Sequence, residues 1–280
     1  MTTPLRGTGG AGGFTPDSAI WKVSREWVLM LGGGRALLLQ AAHPLALAGV
    51  MEHSDYEAGP WKRLERTMDA VWTAVYGAPE EAERVGRRVR TIHSRVNGRL
   101  STAMGPFPAG TPYDAKDPEL LLWVHATLVD TALLMYRTYV GPLSAVEVEA
   151  YYQDMKALAR LFGTPEEAVP ESYGDFVAWW RAMLASEAIC VTPEARALAA
   201  TVLRPPLPVV ARPAWELVKF ATAGFLPAEL RRGYGFTWTP AHRAVLAASA
   251  EGVRRGFLPL LPDLARALPG ARAAERELAA

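Results

Sequence analysis

The sequence predicts a single domain with an all-α fold. Several prolines follow a residue that can cap a helix, and proline suits the first helical position because its missing N–H would have no intrahelical partner there. Apolar residues recur at helical spacing, whereas strand-type alternation and hairpin turns are scarce. We expect roughly nine to twelve helices and a helix content above about half, against about one third in an average domain. The cap-and-proline pairs are Asp117-Pro118, Thr164-Pro165, Thr192-Pro193 and Thr239-Pro240.

The expected elements divide the chain into three parts. Residues 1–17 begin with a Gly- and Thr-rich run and are expected to form a flexible tail. Residues 18–265 are expected to form the helical domain, and residues 266–280 a C-terminal helix or a frayed tail. Apolar stripes within the domain mark three helices: Leu64, Met68, Val71, Trp72 and Val75; Val85, Val89, Ile92 and Val96; and Leu121, Val124, Leu128 and Leu133.

Local signals refine this division at three places. The most apolar stretch, Ala36 to Met51, contains a His43-Pro44 pair and is shorter than the ~20 apolar residues of a membrane span, so we expect a buried core helix with a break. The pattern from Ser144 to Glu147 is a capping box, which predicts a helix start. The segment from Arg204 to Pro213 is Pro-rich and is expected to be an irregular connection.

Composition excludes several classes of function. The chain has 280 residues, of which 50% are hydrophobic, and its 30 basic and 29 acidic residues give a net charge of +1. That balance carries no electrostatic signature of a nucleic-acid-binding protein. A single cysteine, Cys190, allows neither an intrachain disulfide nor a cysteine-rich zinc site, and it indicates a reducing compartment. Because no secretory signal pattern opens the chain, we expect a cytoplasmic protein without a membrane span.

His93 has the most informative surroundings of the five histidines. On a helix it shares a face with Gly86, Arg90 and Asn97. A neutral imidazole is a common axial ligand of haem iron, and an arginine one turn away can bind a haem propionate. Gly86 could leave room for such a flat ligand. The alternative is an ordinary helix surface with scattered polar residues.

The preceding helix carries a second polar stripe, formed by Arg63, Arg66, Thr67 and Ala70. Taken alone, this stripe could simply face water. Of the other histidines, His242 follows a helix start and is expected to be solvated, while an imidazole in apolar surroundings is most often a hydrogen-bonded core residue.

Several motifs together resemble a known family. They are Trp21–Glu26, Leu31–Pro44, Glu52–Tyr56, Arg63–Thr67 and Trp123–Leu128. The resemblance, from about Ile20 to Tyr234, is to the rubber oxygenases or latex-clearing proteins. That family also includes a fungal oxygenase that cleaves a farnesyl chain. The resemblance implies a helical fold with a globin-related core that encloses haem b, an iron cofactor.

The resemblance also implies roles for particular residues. The family's axial histidine lies in an Arg-x-x-His motif, which is Arg90 to His93 here, so His93 is the expected iron ligand. A second motif, Arg-x-x-Lys-Thr, is matched by Arg63 and Thr67, but Arg66 replaces the lysine. A guanidinium stays protonated and cannot ligate iron. A further family arginine is replaced by Asn97, so propionate binding must differ.

The expected cofactor-binding residues are therefore His93, Arg90, Arg63, Arg66 and Thr67. Arg66, Thr67 and His53 are the expected catalytic residues, with His53 as a possible acid or base on the open side of the iron. His43 is expected to serve helix packing, and the motifs give His125 no role.

These observations favour a haem-b-dependent oxidoreductase, an oxygenase that activates dioxygen and acts on an apolar small molecule. Two alternatives remain open: a non-catalytic haem-binding protein such as a sensor or carrier, and a cofactor-free helical binding protein. A di-iron carboxylate enzyme would need Glu-x-x-His pairs on facing helices, and the sequence offers none. The substrate, the sixth ligand of the iron, the electron donor and the oligomeric state stay open at this stage.

Overall fold

The computed structural model describes residues 13–53, 60–205 and 208–278. Helix makes up 72% of the structure, which confirms the prediction of a mostly helical fold. The α-helices are α1 (Ala19–Ser24), α2 (Gly33–Ala41), α3 (Pro44–His53), α4 (Pro60–Tyr76), α5 (Pro79–His93), α6 (Pro118–Met135), α7 (Ala145–Leu161), α8 (Tyr173–Ala185), α9 (Pro193–Leu203), α10 (Arg212–Phe225), α11 (Ala228–Gly233), α12 (Pro240–Gly252), α13 (Asp263–Arg266) and α14 (Pro269–Leu278). They exceed the expected number because several are very short.

Other regular elements are small. Two strands, β1 (Asn97–Arg99) and β2 (Pro112–Asp114), form an antiparallel hairpin in which Gly98 lies opposite Tyr113. Short 3-10 helices cover Trp27–Gly32, Glu166–Ala168, Val209–Ala211 and Leu258–Leu260. π-Helical turns follow α6 at Tyr136–Val140 and α12 at Val253–Phe257. Of the predicted tail, residues 1–12 lie outside the described part of the chain.

Most of the predicted helix starts are present. Asp117, Thr192 and Thr239 each accept a backbone N–H from the first turn of the following helix, at 2.8, 3.2 and 3.3 Å. Ser144 and Glu147 form the predicted capping box, in which each side chain accepts the other's backbone N–H. These bonds satisfy donors that a helix leaves without intrahelical partners, so local sequence alone is sufficient to place the starts.

The start predicted at Thr164 is different. Only one 3-10 turn, Glu166–Ala168, follows it, because Val169 adopts an extended conformation (φ −90°, ψ 123°) before Pro170. A residue that precedes proline is disfavoured in the helical region. The next helix, α8, is capped instead by Ser172, which accepts the backbone N–H of the third helical residue.

Helix α6 is the central element of the fold. It packs against α2, α7 and the 3-10 helix at Trp27–Gly32, and its Trp123 is fully buried and stacks on Trp180 of α8 with ring centroids 5.1 Å apart. By length and composition alone, the segment Pro118–Val140 could cross a membrane, but 67% of its apolar window is buried inside the structure. The core helix of a folded domain has the same properties.

Helix α2 ends at Ala41, and α3 begins at Pro44, so the predicted break at His43-Pro44 is present. Glycines at the start of α2 allow this helix to approach its neighbours closely. A Cβ on Gly32 would lie 2.5 Å from Cγ2 of Thr131 on α6. A Cβ on Gly34 would meet Thr222 of α10 at a still shorter distance. Backbone-to-side-chain packing this tight leaves no space for a methyl group.

Arg35 connects the same three helices. Its side chain is 4% exposed, forms an ion pair with Asp130, and donates hydrogen bonds to Thr131 and, at 2.8 Å, to the carbonyl oxygen of Phe225. A buried guanidinium is tolerated only when it is paired and hydrogen-bonded, as it is here. Arg35 therefore has a structural role at the end of α10.

The C-terminal helix α14 packs against the start of the chain. Glu275 accepts hydrogen bonds from the indole N–H of Trp21, at 3.2 Å, and from Nε of Arg25, at 2.9 Å. Arg25 also forms an ion pair with Asp263, and Ala271 is completely buried. These contacts order residues 269–278 as a docked helix.

Candidate functional site

Helices α4 and α5 form an antiparallel hairpin, because only Gly77 and Ala78 connect them and they are extensively packed together. Residues equally far from the connection lie at the same level. Arg63 is therefore level with the end of α5, where His93 lies, and Arg66 is about one turn nearer the connection. The structure thus brings the two predicted motifs to one end of one hairpin.

His93 is half-buried at the last position of α5, and its Nδ1 atom is buried without a hydrogen-bond partner among the described residues. Burial lowers the pKa of His93, so its imidazole is neutral at neutral pH. A buried polar atom without a partner is destabilising, and a neutral imidazole has a lone pair available for a metal. On both counts, the chemistry of His93 fits a residue that would bind the iron of a haem.

Arg90 and Gly86 both contact the end of α7. Arg90 donates from Nη1 to the carbonyl oxygen of Leu161, at 2.5 Å, and from Nη2 to Glu83, at 3.1 Å. The space beside Gly86 is occupied by Leu161, whose Cδ1 atom would lie 2.7 Å from a Cβ on Gly86. The expected room for a flat ligand at Gly86 is therefore absent, because this face of α5 packs on the end of α7.

The polar stripe on α4 is exposed at Arg66 and Thr67. Ala70 is half-buried. The side chain of Arg63 lies outside the described part of the structure. Exposed arginine and threonine suit either of the predicted alternatives, a solvated face or one side of a ligand site.

His53 belongs to a hydrogen-bonded group at the end of α3. Its Nε2 atom lies 3.1 Å from the carbonyl oxygen of Asn97 and 3.2 Å from the hydroxyl of Tyr113, which donates to Glu52 at 2.5 Å. Because a carbonyl can only accept, we assign the hydrogen to Nε2, which leaves Nδ1 of His53 as a proton acceptor. Asn97 follows α5 closely, so this group lies near the end that bears His93.

Sequence reasoning did not identify Tyr113. Burial and the neighbouring Glu52 carboxylate raise the pKa of Tyr113, so its hydroxyl keeps its proton and donates it to Glu52 in a hydrogen bond. Gly98 lies opposite Tyr113, and a Cβ there would lie 2.5 Å from the Tyr113 hydroxyl. Strand pairing, which the sequence did not predict, brings the two residues together.

Two other histidines have a ring nitrogen without a hydrogen-bond partner in the described residues. Nδ1 of His43 and Nε2 of His125 are both buried and unpaired. His43 stacks on Phe107 with ring centroids 5.8 Å apart, as expected for a packing residue. Burial lowers the pKa of each to about 4. Both are neutral core imidazoles, more deeply buried than His93.

Among the described residues, no group of three or more His, Cys, Asp or Glu side chains could hold a metal ion. A haem needs only one protein ligand, so this finding bears on the di-iron alternative and leaves the haem prediction untouched. Cys190 is half-buried and its pKa is raised by burial, which disfavours a thiolate ligand.

Comparison with known proteins identifies the family. The family model described as ER-bound oxygenase mpaB/B'/Rubber oxygenase, catalytic domain, matches residues 21–255. The uncharacterized proteins Rv2237 of Mycobacterium tuberculosis and Mb2261 of Mycobacterium bovis are each 31% identical over 215 residues, which cover 74% of this chain and 80% of theirs. No solved structure matches. The chain therefore belongs to the family of mpaB-type and rubber oxygenase catalytic domains, as its motifs indicated.

Proposed function

We propose that this protein is a haem-b-dependent oxygenase that uses dioxygen to oxidise an apolar small molecule, and that His93 is the residue that would bind the iron. Membership of an oxygenase family supports the general activity. The Arg-x-x-His motif selects His93 for the cofactor assignment, and its unpaired ring nitrogen supports it; His43 and His125 also have an unpaired ring nitrogen but are more deeply buried and lie in no such motif. A globin-related core is part of the same proposal.

When bound, haem b supplies a redox-active iron that can activate dioxygen. The protein's contribution begins with His93. Because burial lowers the pKa of His93, its ring is neutral. The ring therefore does not have to lose a proton before its lone pair binds a metal. The position of His93 at the end of α5, held to α4 and α7, restricts the orientation of the ring.

The propionates would be bound mainly from α4 in this proposal. Arg90 already donates to Leu161 and Glu83, so it would have to give up one of these bonds to bind a carboxylate. Arg63 and Arg66 lie on the facing helix of the hairpin, and the Arg66 side chain is exposed. A guanidinium binds a carboxylate with two parallel, charge-assisted hydrogen bonds. Thr67 lies beside them and can add a hydroxyl donor.

His53 would move a proton. Its Nε2–H is held by Asn97 and Tyr113, so the ring has a defined orientation and Nδ1 can accept a proton from substrate. Because the His53 side chain is exposed, its ring is also in contact with solvent.

The test is haem binding by the purified chain and by single histidine variants. Hemin titrated into the protein, or expression with added haem precursor, should give a Soret band that His93→Ala largely loses while the circular dichroism spectrum stays helical. The matched control is His53→Ala, which removes an exposed imidazole near the same end of the hairpin and should retain the band. A normal Soret band in His93→Ala, or its loss in His125→Gln alone, would overturn the assignment.

Carbon monoxide tests whether the reduced iron has a position open to a diatomic ligand, which an oxygenase requires. The reduced protein should bind carbon monoxide, because Arg66 cannot ligate the iron as the family lysine can. Arg66→Ala should lower oxygen consumption with an apolar substrate more than it lowers haem content. A ferrous protein that refuses carbon monoxide would favour a sensor or an electron carrier.

A further inference from the structure

A groove of about 700 Å³ lies between α9, α10, α12 and the segment at residues 234–238. This volume is in the range of roughly 300–1,000 Å³ that is usual for small-molecule sites. His93, Arg90, Arg66, Thr67 and His53 do not line it. The groove is therefore separate from the residues assigned to the haem, and its side chains must be explained independently.

The floor of the groove is apolar and aromatic. Leu203 is buried, and the half-buried rings of Phe220 and Trp238 lie 5.1 Å apart. At the rim, Leu217 and Val245 are 68% and 57% exposed, which is high for large aliphatic side chains. The part of the chain that the structure describes leaves these side chains in contact with water, so an apolar ligand would gain by covering them.

The rim of the groove is positively charged. Arg196, Arg204 and Lys219 line it, and its one acidic lining residue, Glu216, forms an ion pair with Lys219 at 2.6 Å. Within the described residues, Arg196 and Arg204 have no carboxylate at ion-pair distance, although Arg196 donates from Nε to a backbone carbonyl. Two guanidiniums therefore remain uncompensated beside an apolar floor.

His242 adds a hydrogen-bonding side chain to the same wall. The sequence suggested a solvated residue, but His242 is half-buried between Phe220 and Trp238, with ring centroids 6.0 and 5.4 Å away. Its Nδ1 atom accepts the backbone N–H of Thr239 at 3.1 Å. The ring hydrogen of the neutral form must then be on Nε2, and this nitrogen can donate a hydrogen bond.

We propose that this groove binds an amphipathic anion, a molecule with a hydrocarbon chain and one terminal carboxylate or phosphate. The hydrocarbon would cover Leu217, Val245 and the aromatic floor, and the anionic group would lie between Arg196 and Arg204. Arginine recognises carboxylate and phosphate alike, through paired N–H donors. A cationic or uncharged molecule of the same chain length lacks this interaction and leaves the two guanidiniums without an anionic partner.

The first experiment compares head groups on one hydrocarbon chain by isothermal titration calorimetry, with the purified 280-residue protein. Dodecanoate and dodecyl phosphate are the anionic probes, and dodecanol and dodecyltrimethylammonium are the uncharged and cationic ones. The ionic probes are used below their micelle concentrations and dodecanol below its solubility limit. We expect at least one anionic probe to bind about tenfold or more tightly than dodecanol, and the cationic probe to bind more weakly still. The stronger of the two anions identifies the head group. Equal binding of dodecanol, or no binding of either anion, overturns the proposal.

The second experiment locates the site with matched surface variants. Arg204→Glu should weaken binding of the better anion about tenfold or more, whereas Arg276→Glu, at an exposed arginine on α14, should leave it unchanged. Leu217→Asn should weaken binding, whereas Leu278→Asn, at a leucine that is 66% exposed on α14, should not. Equal losses in a groove variant and its control would overturn the assignment. Haem content plays no part in these measurements, so they succeed or fail independently of the oxygenase proposal.

Discussion

Gly86→Ala is the substitution whose effect can be worked out most directly from the structure. The new methyl carbon would lie 2.7 Å from Cδ1 and 2.8 Å from the backbone oxygen of Leu161. Ordinary contacts between carbon atoms are about 3.5–4.0 Å. The leucine side chain can rotate away, but its carbonyl oxygen is also held by Arg90. Overpacking of this kind costs about 1–3 kcal/mol.

Helix propensity acts in the opposite direction. Alanine is favoured over glycine inside a helix by about 1 kcal/mol, so the net destabilisation expected for Gly86→Ala is about 0–2 kcal/mol. Gly252→Ala is the matched control. Gly252 is also in helical conformation, is exposed and has no atom within 4 Å of a built Cβ, so this variant should be stabilised by up to about 1 kcal/mol.

The assay is equilibrium unfolding in urea, followed by far-ultraviolet circular dichroism on the haem-free protein. We expect the two variants to differ by about 1–3 kcal/mol, or by roughly 2–4 °C in Tm for each kcal/mol in a chain of this size. If Gly86→Ala is as stable as Gly252→Ala, the space at Gly86 is not filled by Leu161. Such a result would support the sequence-based expectation of open space for a ligand at Gly86.

Two further predictions concern pH and the C-terminal helix. His43 and His125 have pKa values lowered to about 4, so between pH 6.5 and 4 the unfolded chain binds more protons than the folded one. Stability should therefore fall as pH falls through this range, by up to about 3 kcal/mol per histidine, and a urea midpoint that is constant from pH 7 to 4.5 would contradict it. Glu275→Ala removes the acceptor shared by Arg25 and an indole N–H, so limited proteolysis should release α14 faster than in Glu277→Ala, a control at an exposed neighbour. Equal cleavage rates would show that apolar packing alone holds α14.

Part of the candidate site could be read from the sequence. The motifs ending at His93 and Thr67 were sufficient to identify the family and to place them on consecutive helices, whereas the two-residue connection that pairs these helices in a hairpin is a finding of the structure. What the sequence could not supply was the environment of each side chain. Arg90 and Gly86 fit the pattern of a ligand site, yet both face α7, which begins more than fifty residues later.

The sequence by itself determined the features that depend on neighbouring residues. The capping box at Ser144, the cap at Thr192 and the break before Pro44 each arise from groups within about one turn of each other, so a single sequence contains all the information needed. Only the tertiary structure decided that Tyr113 joins Glu52 to His53 and that three separate helices form an aromatic, positively charged groove. Such sites form between segments far apart in the chain, and packing of the whole domain, not local propensity, determines which side chains meet.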